Sequence, residues 1–263
     1  MIERLDRRIP GAFRYVDATT GLPVQVPLEV RSDGARLARS RSGAWIVLEA
    51  PGLEELVGRF DALPALPTVE SLRIDVVARD PSGRYLPIRH ALLLPRSADP
   101  EEPRLEASLF RANDILLFPS PTAPTARGWA VVRTRVTGTD GAPLGGTRVR
   151  VTLPPTEPLQ QPSVHEGWTE WRPERRRVRG EALLAIPGIP VTTFSQDEVA
   201  DPAIQEVVGS IQASVDPGFD PESDPAPEPE RFATDDALVL SDAQPLVLAS
   251  GRETRVGITV TLA

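Results

Sequence analysis

Hydrophobic positions in this chain alternate more often than they recur at helical spacing. "RVRVTL" at 148–153 puts Val149, Val151 and Leu153 on one face and Arg148, Arg150 and Thr152 on the other. "RETRVGITVTL" at 252–262 does the same with Val256, Ile258, Val260 and Leu262. A period of two predicts pleated strands with one buried and one solvated face. Between such runs, "DPSG" at 80–83 and "DGAP" at 140–143 carry turn chemistry: a side-chain acceptor, a fixed φ and a residue tolerant of positive φ. Helical spacing occurs at Leu53, Leu56, Val57 and Phe60, and again at Ile204, Val207, Val208 and Ile211. Each set marks one face of a two-turn helix, interrupted by Gly58 or Gly209. Short strands between frequent turns predict an all-β sandwich or barrel.

The pattern also repeats. "GAWIVLEAPGL" at 43–53 and "GEALLAIPGIP" at 180–190 both run from Gly through apolar residues to Pro-Gly. Upstream, Pro23 and Pro143 each sit in Gly-x-Pro between two strand-like runs; downstream, "SLRIDV" from Ser71 matches "SIQASV" from Ser210. Three correspondences in the same order predict a duplicated unit. Between the copies lies "FPSPTAPTARG" at 118–128, which has little to bury and whose prolines favour a semi-rigid extended spacer. The expected organisation is a β-sandwich over 1–118, a Pro-rich linker over 119–127 and a second sandwich over 128–263. The second carries long insertions near 154–179 and 216–236.

Composition changes this picture at a few points. The 29 prolines and 19 glycines are hard to place in helices, because proline removes a backbone donor and clashes in a helix interior. The absence of Cys excludes disulfides and thiolate metal sites. All basic residues are Arg. The net charge of −8 is uneven: 197–236 holds 12 acids against Arg231 alone, while 172–179 holds five Arg against Glu174. An acidic balance of this kind disfavours nucleic acid as a partner. No apolar run approaches the ~20 residues that span a bilayer as a helix. "MIERLDRRIPG" lacks the apolar core of a secretory signal, so the expectation is synthesis in the cytoplasm, without membrane insertion and with a place in a released particle left open.

"VRTRVTGTDGAPLGGTRVRV" followed by "GEALLAIPG" resembles the carboxypeptidase-regulatory-like, transthyretin-like β-sandwich modules. The first copy matches through Gly21, Pro23 and Val24, then Gly43, Trp45, Ile46 and Val47. The resemblance implies two tandem transthyretin-like (Ig-like) antiparallel sandwiches acting as stalk, scaffold or adhesion modules, and no catalytic residues. The insertion at 154–179 and the acidic loop depart from that family. "RYLPIRHALLLPR" and "FPSPTAPTARGWAVVR" carry a looser likeness to accessory or cap proteins of phage-tail-like contractile injection systems.

Tests for chemistry are negative in pattern. A Gly-x-Ser-x-Gly nucleophile motif is absent, and the two histidines are His90, on an expected strand, and His165, in the insertion. Asp220, Glu222 and Asp224 alternate like the start of an EF-hand, but the sixth and twelfth positions are Pro225 and Arg231. Two surfaces stand out. Trp168 and Trp171 lie beside Arg172, Arg175, Arg176, Arg177 and Arg179. That pairing fits a protein contact, a platform for sugar rings, or a Trp plugging the sandwich beside solvated arginines. The acidic loop, with Asp220, Glu222, Asp224, Glu228 and Glu230, fits a solvated loop, a weak cation site or a dock for a basic partner. The expectation is a non-enzymatic structural or adaptor protein without cofactor or metal. It would contact other subunits, including copies of itself, through those surfaces; the alternative is a carbohydrate- or surface-binding module.

Overall fold

In the computed structural model the described residues are 9–53, 72–94, 111–155, 161–171, 179–189, 206–220, 224, 226–233 and 236–262. The alternating runs form strands. The N-terminal half has β1 (Gly11–Asp17), β2 (Glu29–Ser32), β3 (Arg36–Arg39), β4 (Trp45–Glu49), β5 (Leu72–Arg79), β6 (Ile88–Leu94) and β7 (Asn113–Leu117). The C-terminal half has β8 (Ala130–Gly138), β9 (Arg148–Leu153), β10 (Ser163–Trp168) and β11 (Glu181–Ile186). It continues with β12 (Glu206–Val215), β13 (Val239–Leu240), β14 (Gln244–Ala249) and β15 (Glu253–Val260). Among the described residues no helix is long and apolar enough to cross a membrane.

Pairing falls into two sets. The first has sheets in the order β3-β4-β1-β7 and β2-β5-β6. The second has β11-β8-β15 facing β10-β9-β12, with β13 and β14 both paired to β12. In the first set, Phe13, Tyr15 and Val47 of one sheet meet Ile74, Val76, Ile88 and Leu92 of the other. In the second, Val132, Leu184 and Ile258 meet Val149, Val151, Ile211 and Leu246. Full burial of each such side chain is worth about 1.5–3 kcal/mol, so these two layers of contacts hold the sheets face to face.

The three sequence correspondences fall on equivalent strands. β1 pairs antiparallel with β4 and parallel with β7, as β8 pairs antiparallel with β11 and parallel with β15. β5 lies between β2 and β6, as β12 lies between β9 and β14. Even the Gly-x-Pro turns match, through single bridges Val16↔Pro23 and Thr137↔Pro143. The opening glycine of the repeated phrase has positive φ in both copies, Gly43 at 87° and Gly180 at 61°. Space at the two differs: a Cβ on Gly43 would meet nothing within 4 Å, whereas on Gly180 it would lie 2.4 Å from the carbonyl oxygen of Val136.

Several expectations need correction. The sheets are not purely antiparallel, since each half contains one parallel pair, β1/β7 and β8/β15. The helix expected at 204–211 is, from Glu206 on, the start of β12; Val207, Ile211, Ala213 and Val215 line its inner side at a period of two. Gly209 belongs to that strand because a Cβ would strike the Thr152 carbonyl of β9 at 2.6 Å. The helix expected at 53–60 lies outside the described residues beyond Leu53. Of the stretch at 119–127, the first part, 119–123, is docked, while 124–127 are exposed as a spacer would be. Ser120 is fully buried, its backbone N–H donating to the Arg84 carbonyl and its hydroxyl to that of Gly83, and Ala123 is buried too. The insertion near 154–179 is not all loop, because β10 within it pairs along the whole of β9. Arg148, expected on a solvated face, is buried beneath residues of the acidic loop.

The expected turns form. Asp140 Oδ1 accepts the N–H of Ala142, and the Asp80 carboxylate accepts the N–H groups of Ser82, Arg84 and Tyr85. His90 takes an inward position of β6 with Ile88, Leu92 and Leu94 and is almost wholly buried. Its Nε2 is 2.9 Å from the Tyr15 hydroxyl, and the Phe13 ring stands edge-on at 5.2 Å. Burial disfavours the imidazolium and pulls the His90 pKa down to about 4, with the nearby Asp75 charge opposing. The unfolded chain, with an ordinary histidine pKa of about 6.5, therefore binds more protons than the folded one between those values. Stability should be full above about pH 6.5 and fall by on the order of 3 kcal/mol as pH drops towards 4. Urea melts across that range check this: His90→Leu should flatten the slope, and an unchanged slope would remove His90 as its source.

Candidate functional site: a seam between the two halves

β6 is the edge strand of its sheet, so alternate backbone N–H groups face away from β5 and need acceptors. They find them in the acidic loop of the other half. The Arg89 N–H donates to the Pro227 carbonyl at 3.2 Å, and the Ala91 N–H reaches Glu230 Oε1 at 3.3 Å. A Pro-rich segment suits this place, because it offers carbonyls and few N–H groups needing partners of their own. Pro229 then opens a single 3-10 turn, Pro229–Phe232, which aims Phe232 inward.

Phe232 lands in an apolar cluster with Leu86, Phe118 and Trp168, bordered by Ala18 and Leu238. Leu86, Phe118 and Ala18 come from the N-terminal half; Trp168, Phe232 and Leu238 come from the C-terminal half. The Trp168 and Phe232 rings meet nearly perpendicular with centroids 4.5 Å apart, and Phe118 lies 5.9 Å from Trp168. An edge-to-face contact such as that of Trp168 and Phe232 adds about 0.5–1.5 kcal/mol beyond burial. The remaining cavity, bounded by Leu86, Phe118, Trp168, Trp171, Pro227 and Pro229, is about 20 Å³, room for one water at most.

Charge closes the seam on one side. Arg73 bonds Asp75 and Glu228, both at 2.9 Å; Arg89 bonds Asp75 at 2.7 Å and Glu228 at 3.1 Å. Two cations and two carboxylates thus alternate in a ring, with three members from β5 and β6 and Glu228 from the other half. Burial pushes the Asp75 carboxyl up, but hydrogen bonds from Arg89 and Arg73 outweigh it and hold the pKa below its ordinary value. On the far side, Arg148 donates to the Phe232 carbonyl at 2.6 Å, with its guanidinium 5.3 Å from the Phe232 ring centre. Arg231 closes the loop on Asp216 at 3.0 Å.

Each residue marked from the sequence can now be placed. Trp168 and Trp171 are buried, so they do not form an exposed platform for sugars or an outside protein. Trp171 packs edge-on against Phe219 at 5.4 Å. Glu228 and Glu230 are engaged with β5 and β6 of their own chain. Asp224 Oδ2 accepts the Asp220 N–H at 2.8 Å, tightening the loop. Arg179 is exposed, 4.0 Å from Glu170. Arg172, Arg175, Arg176, Arg177 and Glu222 lie outside the described residues. Sequence reasoning missed Leu86, Phe118, Arg73, Asp75, Arg89, Arg148 and Phe232. Phe232 did carry a signal: it is a bulky apolar residue at the end of an acidic, Pro-rich run.

With both oxygens of Glu228 and of Asp75 occupied by guanidinium groups, this arrangement clamps rather than reacts. Phe232→Ala should destabilise the protein by about 3–5 kcal/mol in urea melts. A double-mutant cycle on Arg89 and Glu228 should give about 1 kcal/mol of coupling or more. The exposed pair Arg252–Glu206, 3.4 Å apart, should give about 0–0.5 kcal/mol. Equal coupling in the two pairs would contradict the clamp. No protein-family model matches this chain, and no curated protein matches it either, so the seam is interpreted from its own geometry.

Proposed function

We propose that the chain is a non-enzymatic structural or adaptor component of a larger protein assembly, with the carboxypeptidase-regulatory-like resemblance as a guide to its modules. A phage-tail-like contractile injection particle is the most specific form of this reading. The observation that supports it is the seam. The chain commits a Trp-Phe cluster, a ring of four charged side chains and a Pro-rich loop to holding one half against the other. A strut must transmit force or fix spacing between its ends, and a docked connection does this where a flexible one does not. The charged residues that most invited a chemical role, Glu228 and Glu230, work within this clamp.

In the same reading, the Arg cluster from Arg172 to Arg179 contacts other subunits or further copies of the chain. Sedimentation of native lysate, probed for this chain and followed by imaging of the positive fractions, tests the proposal. The expected result is co-sedimentation with large, regular particles, and partial release when salt is raised if the Arg cluster docks electrostatically. A slow monomer or dimer at every salt concentration would overturn it.

A further inference from the structure

Away from the seam cluster, two cavities adjoin on the surface and share Pro23 and Gln25 in their walls. The first, about 330 Å³, is lined by Arg39, Arg41, Ser40, Ser42 and Trp45. The second, about 420 Å³, lies where the halves meet and is lined by Arg84, Tyr85, Thr19, Thr20 and Trp129. Among the described residues Arg39, Arg41 and Arg84 have no carboxylate partner, although most of the described arginines do. The Arg84 guanidinium rests 5.5 Å from the Tyr85 ring centre. Trp45 and Trp129 are half-buried and line the two cavities.

Each cavity therefore offers the same set: one tryptophan, at least one uncompensated guanidinium and small hydroxyls. We propose that this double cavity binds an acidic polysaccharide, a chain of uronic-acid units whose rings stack on Trp45 and Trp129 and whose carboxylates meet Arg39, Arg41 and Arg84. A repeated site fits a repeating ligand, and each wall pairs an apolar face with a cation, as a uronic-acid unit requires. An acidic peptide fits less well, because aspartyl and glutamyl side chains carry no ring to lie on Trp45 and Trp129. The carboxylate in the wall, Asp17, is already taken by the Tyr85 hydroxyl and the N–H groups of Thr19 and Thr20. The proposal uses no residue of the charged ring or the aromatic cluster and is independent of the structural reading above.

Titration calorimetry and tryptophan fluorescence with a short oligogalacturonate test it on the full chain. Neutral cello-oligosaccharide, oligoglutamate and oligothymidylate are the comparison probes. Oligogalacturonate should bind and shift the emission, with neutral sugar at least about tenfold weaker. The double variant Arg39→Ala/Arg41→Ala and the single variant Arg84→Ala should each weaken binding about tenfold or more. Arg135→Ala, at an exposed arginine outside both cavities, should leave it unchanged. The proposal falls if oligogalacturonate gives no heat and no shift, or if neutral sugar, oligoglutamate or oligothymidylate binds as tightly. It also falls if the arginine variants, folded by circular dichroism, bind like the parent. The comparison among probes needs no variant and so decides the matter even if one fails to fold.

Discussion

An edge strand exposes backbone donors that must be satisfied by water, by another chain or by the protein itself. In this protein β6 takes the last course: a loop rich in proline and carboxylates from the C-terminal half supplies the acceptors for Arg89 and Ala91. Much else follows from that contact. Holding Pro227 on β6 places Glu228 between Arg73 and Arg89 and swings Phe232 under Trp168. Phe232 in turn covers Arg148, whose charge is tolerated in the interior with Glu166 3.8 Å away, the Phe232 carbonyl accepting from it and the Phe232 ring against it. The same loop protects an edge that would otherwise invite pairing with another chain.

The two halves share a pairing scheme but differ in the strands added to it, β3 in one and β10 and β13 in the other, and β10 contributes to the seam. In the N-terminal half the extra strand, β3, pairs with β4. In the C-terminal half β10 pairs with β9 instead, and its end delivers Trp168 to the boundary. A repeat with identical edges would lack the ring around which the cluster is built. The halves also differ at the opening glycine of the repeated phrase, open at Gly43 and crowded by the Val136 carbonyl at Gly180.

Local pattern made the strands legible. β9 runs over the residues its alternation marks, and the Gly-x-Pro turns and the repeated phrase fall on equivalent positions. The β12 segment misled because Ile204, Val207, Val208 and Ile211 fit a helical face and a strand equally well over so short a window. What decides it is β9 alongside, whose Thr152 carbonyl leaves room for Gly209 alone. The site was legible in composition only in part. Trp168 and the Pro-rich acidic run meet within the chain, but local sequence does not say which surface a buried tryptophan or an acidic run will meet. Arg73, Asp75 and Arg89 gave no signal, since charged residues on two hairpin strands become a ring only when a residue about 140 to 155 positions away arrives between them.

The central claim is that the two halves are held as one body by the seam. With no native cysteine, paired substitutions Asp33→Cys and Asp242→Cys give two exposed spin-label sites, one in each half. Pulsed dipolar spectroscopy on this labelled chain measures the distance distribution between them. A docked seam predicts a single distribution no broader than the labels' own rotamers allow. A broad or multi-peaked distribution would show that the halves move independently and would contradict the account.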